Sequence, residues 1–264
     1  MQSIIEISGW QLAAFMTVIL IPLAINAHFR LALGRDMLIA VARMTVQLLL
    51  VGLYLQFVFE RDSALLNTLW LIVMIFVGAS SILSSAKIPQ RHLYPAVLGG
   101  LLIGLLPILA LLLLGLLRPV PLYNAQYLIP LAGMLLGNSL SGNIIALQRL
   151  FGGLTDRFEL YQGALALGAT PSYAARPFVQ HAMQQAQAPI LATMTATGLV
   201  TLPGMMTGQI LSGSDPMIAV KYQLVIMLAI FAMLSLSVTA CLLLTVRMVL
   251  AADGRIRLSL SQTP

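Results

Sequence analysis

Charged residues and cysteine are the scarce components of this 264-residue chain. Only 8% of the residues are charged, whereas 59% are apolar, and the mean hydropathy is +0.96. Soluble globular domains contain about 25% charged residues, so this composition excludes that class. The single cysteine, Cys241, excludes an intrachain disulfide framework and a cysteine-based metal cluster. Its place in the last apolar segment predicts a packing role.

The chain also lacks the signatures of common enzymes. It has no His-Glu-x-x-His or Gly-x-Ser-x-Gly motif and no Gly-x-x-x-x-Gly-Lys-Ser/Thr phosphate loop. All eight acidic residues fall in loops or at the ends of apolar segments, so no close pair of intramembrane carboxylates is expected. We therefore expect a protein that is not an enzyme and needs no cofactor of its own. Any ATP dependence must come from another subunit.

Long apolar segments dominate what is present. A bilayer crossing needs roughly 20 mostly apolar residues. Seven segments meet this requirement, at about 10–27, 37–59, 64–86, 93–117, 125–147, 187–210 and 219–248. No linker or low-complexity tract interrupts them. The sequence predicts an all-α polytopic membrane protein with about seven transmembrane helices, forming one membrane domain over residues 1–264.

The basic residues predict the orientation, because Lys and Arg are retained in cytoplasmic loops. With the N-terminus outside and the C-terminus inside, ten basic residues lie in inside loops and three in outside loops. The inside residues are Arg30, Arg35, Lys87, Arg91, Arg149, Arg157, Arg176, Arg247, Arg255 and Arg257, and the outside residues are Arg61, Arg118 and Lys221. This asymmetry accounts for the net charge of +6, so no nucleic-acid partner is needed to explain it.

The longest polar stretch, about 148–187, lies between two apolar segments and is predicted to be a cytoplasmic coupling loop. Its first part can form a helix with one apolar face, which consists of Phe158, Tyr161 and Leu165. Gly168 supplies a left-handed helix stop, and Thr170 can cap a second helix that has Pro171 at its first position. Two short helices joined at a glycine corner form a compact knob. An apolar face outside the bilayer needs a partner to cover it.

Polar residues inside the apolar segments are the candidates for a translocation path. Asp36, Arg43 and Gln47 fall on one helical face. Two interpretations remain open, namely a structural ion pair with an interhelical hydrogen bond, and a polar lining of a path.

The fifth segment contains Asn138, whose buried amide is expected to bridge helices or to face a water-filled translocation path. Gly133 and Gly137 in the same segment, and Gly100 and Gly104 in the fourth, have the four-residue spacing that allows close helix packing.

The sixth segment contains Pro203 and Gly204, which are expected to break the helix near the outer side of the membrane. Met205 and Met206 follow, as soft ligands or as flexible gap-fillers. The next turn, from Ser214, is predicted to be external and capped by Asp215 before the last segment begins.

These motifs together resemble the Fet-type iron-export ABC permeases, a family similar to plant membrane proteins linked to aluminium tolerance. The resemblance covers most of the chain. It is carried by Arg43-x-x-x-Gln47-Leu, Ile129-Pro-Leu-Ala-Gly-Met134, Gly137-Asn138, Leu167-Gly-Ala-Thr-Pro171, Thr197-Gly-Leu-Val-Thr-Leu-Pro-Gly-Met-Met-Thr-Gly208, and Asp215-Pro through Lys221-Tyr-Gln223.

The resemblance implies a permease subunit of the bacterial inner membrane that exports iron or another metal, driven by ATP-Mg bound to a separate ABC ATP-binding subunit. In many ABC importers a Glu-Ala-Ala loop docks into that subunit; Gly163 here stands where the glutamate is expected, and Glu159 lies one turn earlier. The docking residues implied are Glu159, Gly168, Ala169, Thr170 and Pro171. The path residues predicted are Arg43, Gln47, Asn138, Met205, Met206, Tyr222 and Gln223.

A homodimer is expected, because two ATP-binding subunits need two docking sites and two-fold dimers are the commonest symmetric assembly. Metal ligands cannot be assigned from the residues, which suit a chelate or an organic solute equally well. A self-sufficient channel or secondary carrier for a small solute is the alternative function, and a membrane anchor or assembly subunit is a third.

Overall fold

The computed structural model describes residues 7–61, 63–87 and 91–251 of the chain. These residues are predominantly helical, which confirms the predicted all-α class. We number the helices in chain order as α1 (Gly9–Phe29), α2 (Gly34–Arg61), α3 (Ala64–Ala86), α4 (Tyr94–Leu117), α5 (Ala125–Asp156), α6 (Phe158–Ala166), α7 (Pro171–Ala196), α8 (Gly204–Leu211) and α9 (Pro216–Val249). The predicted tail residues Arg255 and Arg257 lie outside the described residues.

Six of the described helices are long and apolar enough to cross a membrane, namely α1 to α5 and α9. The predicted sixth crossing, over 187–210, is broken, as Pro203 and Gly204 predicted, but its bounds are wrong. Helix α7 begins at Pro171 and ends at Ala196, and a break separates it from the short helix α8. It is 26 residues long, and it packs beside α5 and α9. Its glutamines lower its hydropathy, so the apolar pattern of the sequence does not show where this helix begins and ends.

The predicted coupling loop is also shorter than 148–187. Helix α5 continues as far as Asp156, and α7 starts at Pro171. Only residues 157–170 connect them, and α6 occupies much of that connection. Polar residues can extend a helix beyond the bilayer without loss of its backbone hydrogen bonds, so polarity alone does not mark where a helix ends.

Helices α4 and α9 form the most extensive contact among the described helices. A Cβ atom added to Gly100 lies 2.7 Å from Cβ of Cys241, and one added to Gly104 lies 2.8 Å from Cβ of Ser237. These two glycines therefore bring the helices together, as predicted. Cys241 is fully buried in this contact, which confirms its packing role.

A second cluster of buried residues joins α5, α6, α7 and α9, and includes Leu150, Tyr161, Ala175 and Leu242. It holds the connection 157–170 against the ends of the long helices. The connection between α5 and α7 therefore rests on packed side chains.

The first two helices lie at the edge of the bundle. No residue of α1 is buried, and Val58 is the buried residue of α2. Val58 packs against Ala125 and Ile129, and Tyr54 stacks on Trp70 with ring centroids 4.0 Å apart. The contacts of α2 with the bundle are thus concentrated near its C-terminal end.

Candidate functional site

The connection between α5 and α7 folds into a rigid corner. The amide of Gly168 donates to the carbonyl of Leu165 at 2.9 Å, and the amide of Ala169 donates to that of Ala164 at 3.0 Å. Gly168 has a φ of +89°, a left-handed conformation that only glycine adopts without a steric cost. The predicted helix stop is confirmed.

The second half of the corner is a capped helix start. The backbone N–H of Tyr173 donates to Oγ1 of Thr170 at 3.4 Å, and Pro171 occupies the first turn of α7. Thr170 has extended backbone geometry, as an N-cap residue requires. The order Gly, Thr, Pro thus ends one helix and starts the next within four residues.

Aromatic packing holds α6 in place. The Tyr161 side chain is only 1% exposed, and its ring stacks on Phe158 with centroids 6.2 Å apart. Leu165 and Ala169 pack on the same buried cluster. Tyr161 and Leu165 of the predicted apolar face of α6 therefore face the protein, whereas Phe158 remains 36% exposed.

Three apolar side chains project from the knob. Leu167 is 92% exposed, Leu160 is 65% exposed and Tyr173 is 67% exposed. We define the corner surface as these three residues together with the exposed Glu159, Gly168 and Thr170. Of the predicted docking residues, Ala169 and Pro171 are half-buried and support the corner from within. Leu160, Leu167 and Tyr173 were not predicted, although apolar side chains in a polar stretch were the available signal.

A polar cavity lies between α2, α3 and α5. It has a volume of about 670 Å³ and is lined by Arg43 and Gln47 of α2, by Gly133 and Gly137 of α5, and by a row of α3 serines, Ser80, Ser81, Ser84 and Ser85. Asp36 is not among its lining residues. The structure thus places Arg43 and Gln47 together, in the arrangement that a polar lining requires.

The row of serines explains why this cavity is polar. Among the described residues, none of the four hydroxyl groups forms a hydrogen bond. Lipid tails offer no hydrogen-bond partner, so hydroxyl groups and an arginine at this position need water, a solute or another chain. Gly137 has no atom within 4 Å of an added Cβ. Its absent side chain keeps the cavity open, and close helix packing was the wrong prediction for this glycine.

Asn138 does not bridge helices. Its side chain is exposed, and Nδ2 donates to the carbonyl of Met134 on the same helix at 2.8 Å. The buried bridge is made by Asn143, which is 0% exposed. Its Nδ2 donates to Oγ of Ser237 on α9 at 3.0 Å and to the carbonyl of Ser139 at 2.9 Å. The expected interhelical amide exists five residues further along α5, on the face that turns inward.

The break between α7 and α8 is a compact turn. Gly198 has a φ of +90° and its amide donates to the carbonyl of Thr201 at 2.9 Å, while Pro203 precedes the first residue of α8. The break thus begins at Thr197, six residues before the proline that predicted it. Asp215 caps α9 by accepting from the amides of Met217 and Ile218 at 2.8 and 3.3 Å, which confirms the predicted cap.

Two cavities flank this break. One, of about 340 Å³, is lined by Met205 and Tyr222 among others. The other, of about 350 Å³, is lined by Met206 and Gln223. The adjacent methionines therefore point into different spaces. Six of the seven predicted path residues are divided among three cavities within the single chain, and Asn138 lines none of the three.

No metal site of the common type is formed by the described residues, in which no group of three or more His, Cys, Asp or Glu side chains comes together. The polar cavity supplies hydroxyl groups, an amide and a guanidinium, and the cavities at the break supply thioethers and amides.

The apolar helices, the intramembrane polar cavity and the corner outside the apolar region define a multi-pass helical membrane protein. The chain belongs to the family described as an uncharacterised protein family, UPF0014, whose model matches residues 9–250. The family resemblance drawn from the motifs is confirmed by the relatives.

The relatives come from bacteria and plants. The chain is 33% identical over 235 residues to UPF0014 membrane protein YjkA of Bacillus subtilis, covering 89% of this chain and 91% of that protein. It is 33% identical over 215 residues to Protein ALUMINUM SENSITIVE 3 of Arabidopsis thaliana, with 81% and 77% coverage. It is 29% identical over 242 residues to the probable iron export permease protein FetB of Escherichia coli, covering 92% of each chain. No solved structure matches the chain.

Proposed function

We propose that this chain is the membrane-spanning permease subunit of an ABC transporter and that a separate ATP-binding subunit docks on the corner surface. The observation that carries the proposal is the exposure of Leu160, Leu167 and Tyr173 on a corner held rigid by Gly168 and the Thr170 cap. Exposed apolar side chains on a preformed turn suit a protein groove. The name of the FetB relative supports the permease class.

ATP and Mg²⁺ belong to the partner in this proposal. The chain has no phosphate-binding loop, so its task is to receive movement from the partner. The corner is suited to this task because the buried Tyr161 and the cluster beneath it connect α6 to α5, α7 and α9. A displacement of the corner is therefore transmitted to three long helices, and drives alternating access.

The polar cavity supplies the inner part of the path. Its lining of Arg43, Gln47 and four serines is shielded from lipid only if another surface covers it. A second copy of this chain provides that surface in a two-fold homodimer, which also presents two corners to two ATP-binding subunits. Helices α1 and α2, at the edge of the bundle, are the natural elements for this contact.

The proposed cargo is iron, and the proposed direction is export from the bacterial cytoplasm across the inner membrane, because the FetB relative is named a probable iron export permease. The residues support passage of a polar solute without selecting bare iron. Iron favours hard oxygen and nitrogen ligands, and the lining of the polar cavity has no carboxylate.

A capture experiment tests the docking proposal. The tagged full chain is purified in mild detergent from its own host, and the ATP-binding protein that accompanies it is identified by mass spectrometry and quantified in Gly168→Arg. The matched control is Gly213→Arg, which adds the same charge at a glycine with a similar φ of +92°. Neither glycine has an atom within 4 Å of an added Cβ, so strain and bulk are comparable.

We expect Gly168→Arg to lose the ATP-binding subunit while inserting into the membrane at the native level, and Gly213→Arg to retain it. Equal capture by both variants contradicts docking at the corner. Solute transport by the purified chain alone, without ATP and unchanged in Gly168→Arg, indicates instead the self-sufficient channel or carrier.

A further inference from the structure

The cavity beside the break between α7 and α8 brings together three methionines from three different helices. Met194 of α7, Met206 of α8 and Met227 of α9 all line the same space of about 350 Å³. They are far apart in the sequence and meet only because the break turns α8 back onto α9. All three are half-buried, unlike Met233, which is fully buried in the core. The three methionine side chains thus line a cavity, whereas Met233 fills space in the core.

A buried amide points to a ligand in the same cavity. Gln223 also lines it and is only 7% exposed. Its Oε1 has no hydrogen-bond partner among the described residues. An unpaired buried carbonyl oxygen costs free energy of desolvation, and a cation in the cavity can satisfy it. This observation is independent of the methionines.

The chemistry of these groups selects the ion. Thioethers are soft, neutral ligands that favour Cu(I) and its analogue Ag(I) over iron, and an amide oxygen can serve as an additional weak ligand to copper. Neutral ligands suit a monovalent ion better than a divalent one, because they do not compensate its charge. The lining contains no carboxylate and no imidazole.

We propose that Met194, Met206 and Met227, with Oε1 of Gln223, form a binding site for a soft monovalent metal ion, Cu(I) or Ag(I). The site goes beyond the proposed ATP-driven function and does not depend on the ATP-binding partner. Its failure is therefore distinguishable from failure of docking at the corner.

The test is a titration of the purified full chain with Ag(I), as silver nitrate in chloride-free buffer, followed by isothermal calorimetry. Met206→Leu and Met227→Leu remove a sulfur atom at nearly constant volume, so the fold is expected to survive. Met205→Leu is the matched control, because the neighbouring methionine lines the other cavity. Elution volume and thermal midpoint confirm that all variants are folded.

We expect one Ag(I) to bind per native chain, with affinity reduced by about tenfold or more in Met206→Leu and in Met227→Leu and unchanged in Met205→Leu. Excess Fe(II) is expected not to displace the silver. Equal binding by all variants overturns the proposal, because the silver is then held elsewhere. Absence of binding to the native chain, or displacement by Fe(II) at equal concentration, overturns it as well.

Discussion

The two ends of α7 are built from similar backbone chemistry but differ in packing. Each is followed or preceded by a left-handed glycine, Gly168 with a φ of +89° and Gly198 with a φ of +90°. Each carries a leucine that is almost fully exposed, Leu167 at 92% and Leu199 at 93%. A proline then introduces the next helix in both cases.

The difference lies beneath the two turns. At the Gly168 corner, α6 buries Tyr161 against the main bundle, and the first turn of α7 buries Ala174 and Ala175. At the Gly198 break, no residue of α8 is buried, and two cavities flank the helix. Similar turns are therefore followed by different packing. The Gly168 corner rests on buried side chains, whereas α8 has no buried residue and lies beside two cavities.

Under the proposed function, this contrast matches two tasks of the subunit, namely docking of the partner and movement beside the path. A docking element must transmit force, so it needs a packed base. A helix beside a path that opens and closes must move with a small change in free energy. Few buried apolar contacts give such a helix low local stability. Substitutions at the two ends of α7 can show whether packing, and not turn chemistry, distinguishes them.

Removal of the buried Tyr161 ring beneath the corner should have the largest effect on stability. Tyr161→Ala deletes a fully packed side chain, and we expect a loss of about 3–5 kcal/mol of stability, as for other large core truncations. Leu211→Ala in α8 removes a side chain that is 75% exposed, and should change stability by about 0.5 kcal/mol or less. Thermal unfolding of both variants in detergent provides the measurement. Similar destabilisation by the two changes would contradict the contrast.

Truncation of the two exposed leucines tests whether only the corner surface binds the partner, because both side chains are equally exposed. Leu167→Ala should weaken capture of the ATP-binding subunit by about three- to tenfold, since it removes an apolar anchor from the corner surface. Leu199→Ala should leave capture unchanged. Quantitative binding of the partner to each purified variant measures the effect, and a loss of capture in Leu199→Ala would show that the two ends are not distinct.

Replacement of the glycines should have the smallest effect. Gly168→Ala and Gly198→Ala each force a Cβ into a left-handed conformation, and neither adds a contact within 4 Å. We expect each to cost about 1 kcal/mol of stability. Partner binding should decline only in Gly168→Ala and Ag(I) binding only in Gly198→Ala. Equal thermal midpoints, with partner binding reduced only in Gly168→Ala and Ag(I) binding reduced only in Gly198→Ala, would show that the two turns have different roles.

Local chemistry made the corner predictable from sequence. The order Gly168, Thr170 and Pro171 specifies a helix stop, a cap and a helix start, each through interactions within a few residues. The Asp215 cap was predictable for the same reason. The four-residue spacing of Gly100 and Gly104 predicted close packing, but it did not identify α9 as the partner helix. The apolar face of α6 was also predicted, but its residues Tyr161 and Leu165 pack on the protein itself.

Properties that depend on helix rotation and distant contacts were not predictable. Asn138 and Asn143 lie on the same helix, and only its orientation against α9 decides that Asn143 makes the buried bridge. Gly133 and Gly137 have packing spacing, yet α2 leaves a polar cavity beside them. The adjacent Met205 and Met206 diverge into separate cavities, because successive helical residues point about 100° apart.

Composition and the order of neighbouring residues were enough to predict the class of protein, the membrane segments except the one around α7, and the Gly168 corner with its Thr170 cap. These follow from composition and from interactions between near neighbours. The tertiary structure decided which polar groups are buried, which cavities the path residues line, and which three methionines meet. Such outcomes depend on how long helices rotate and pack against partners distant in the chain, and no local pattern encodes them.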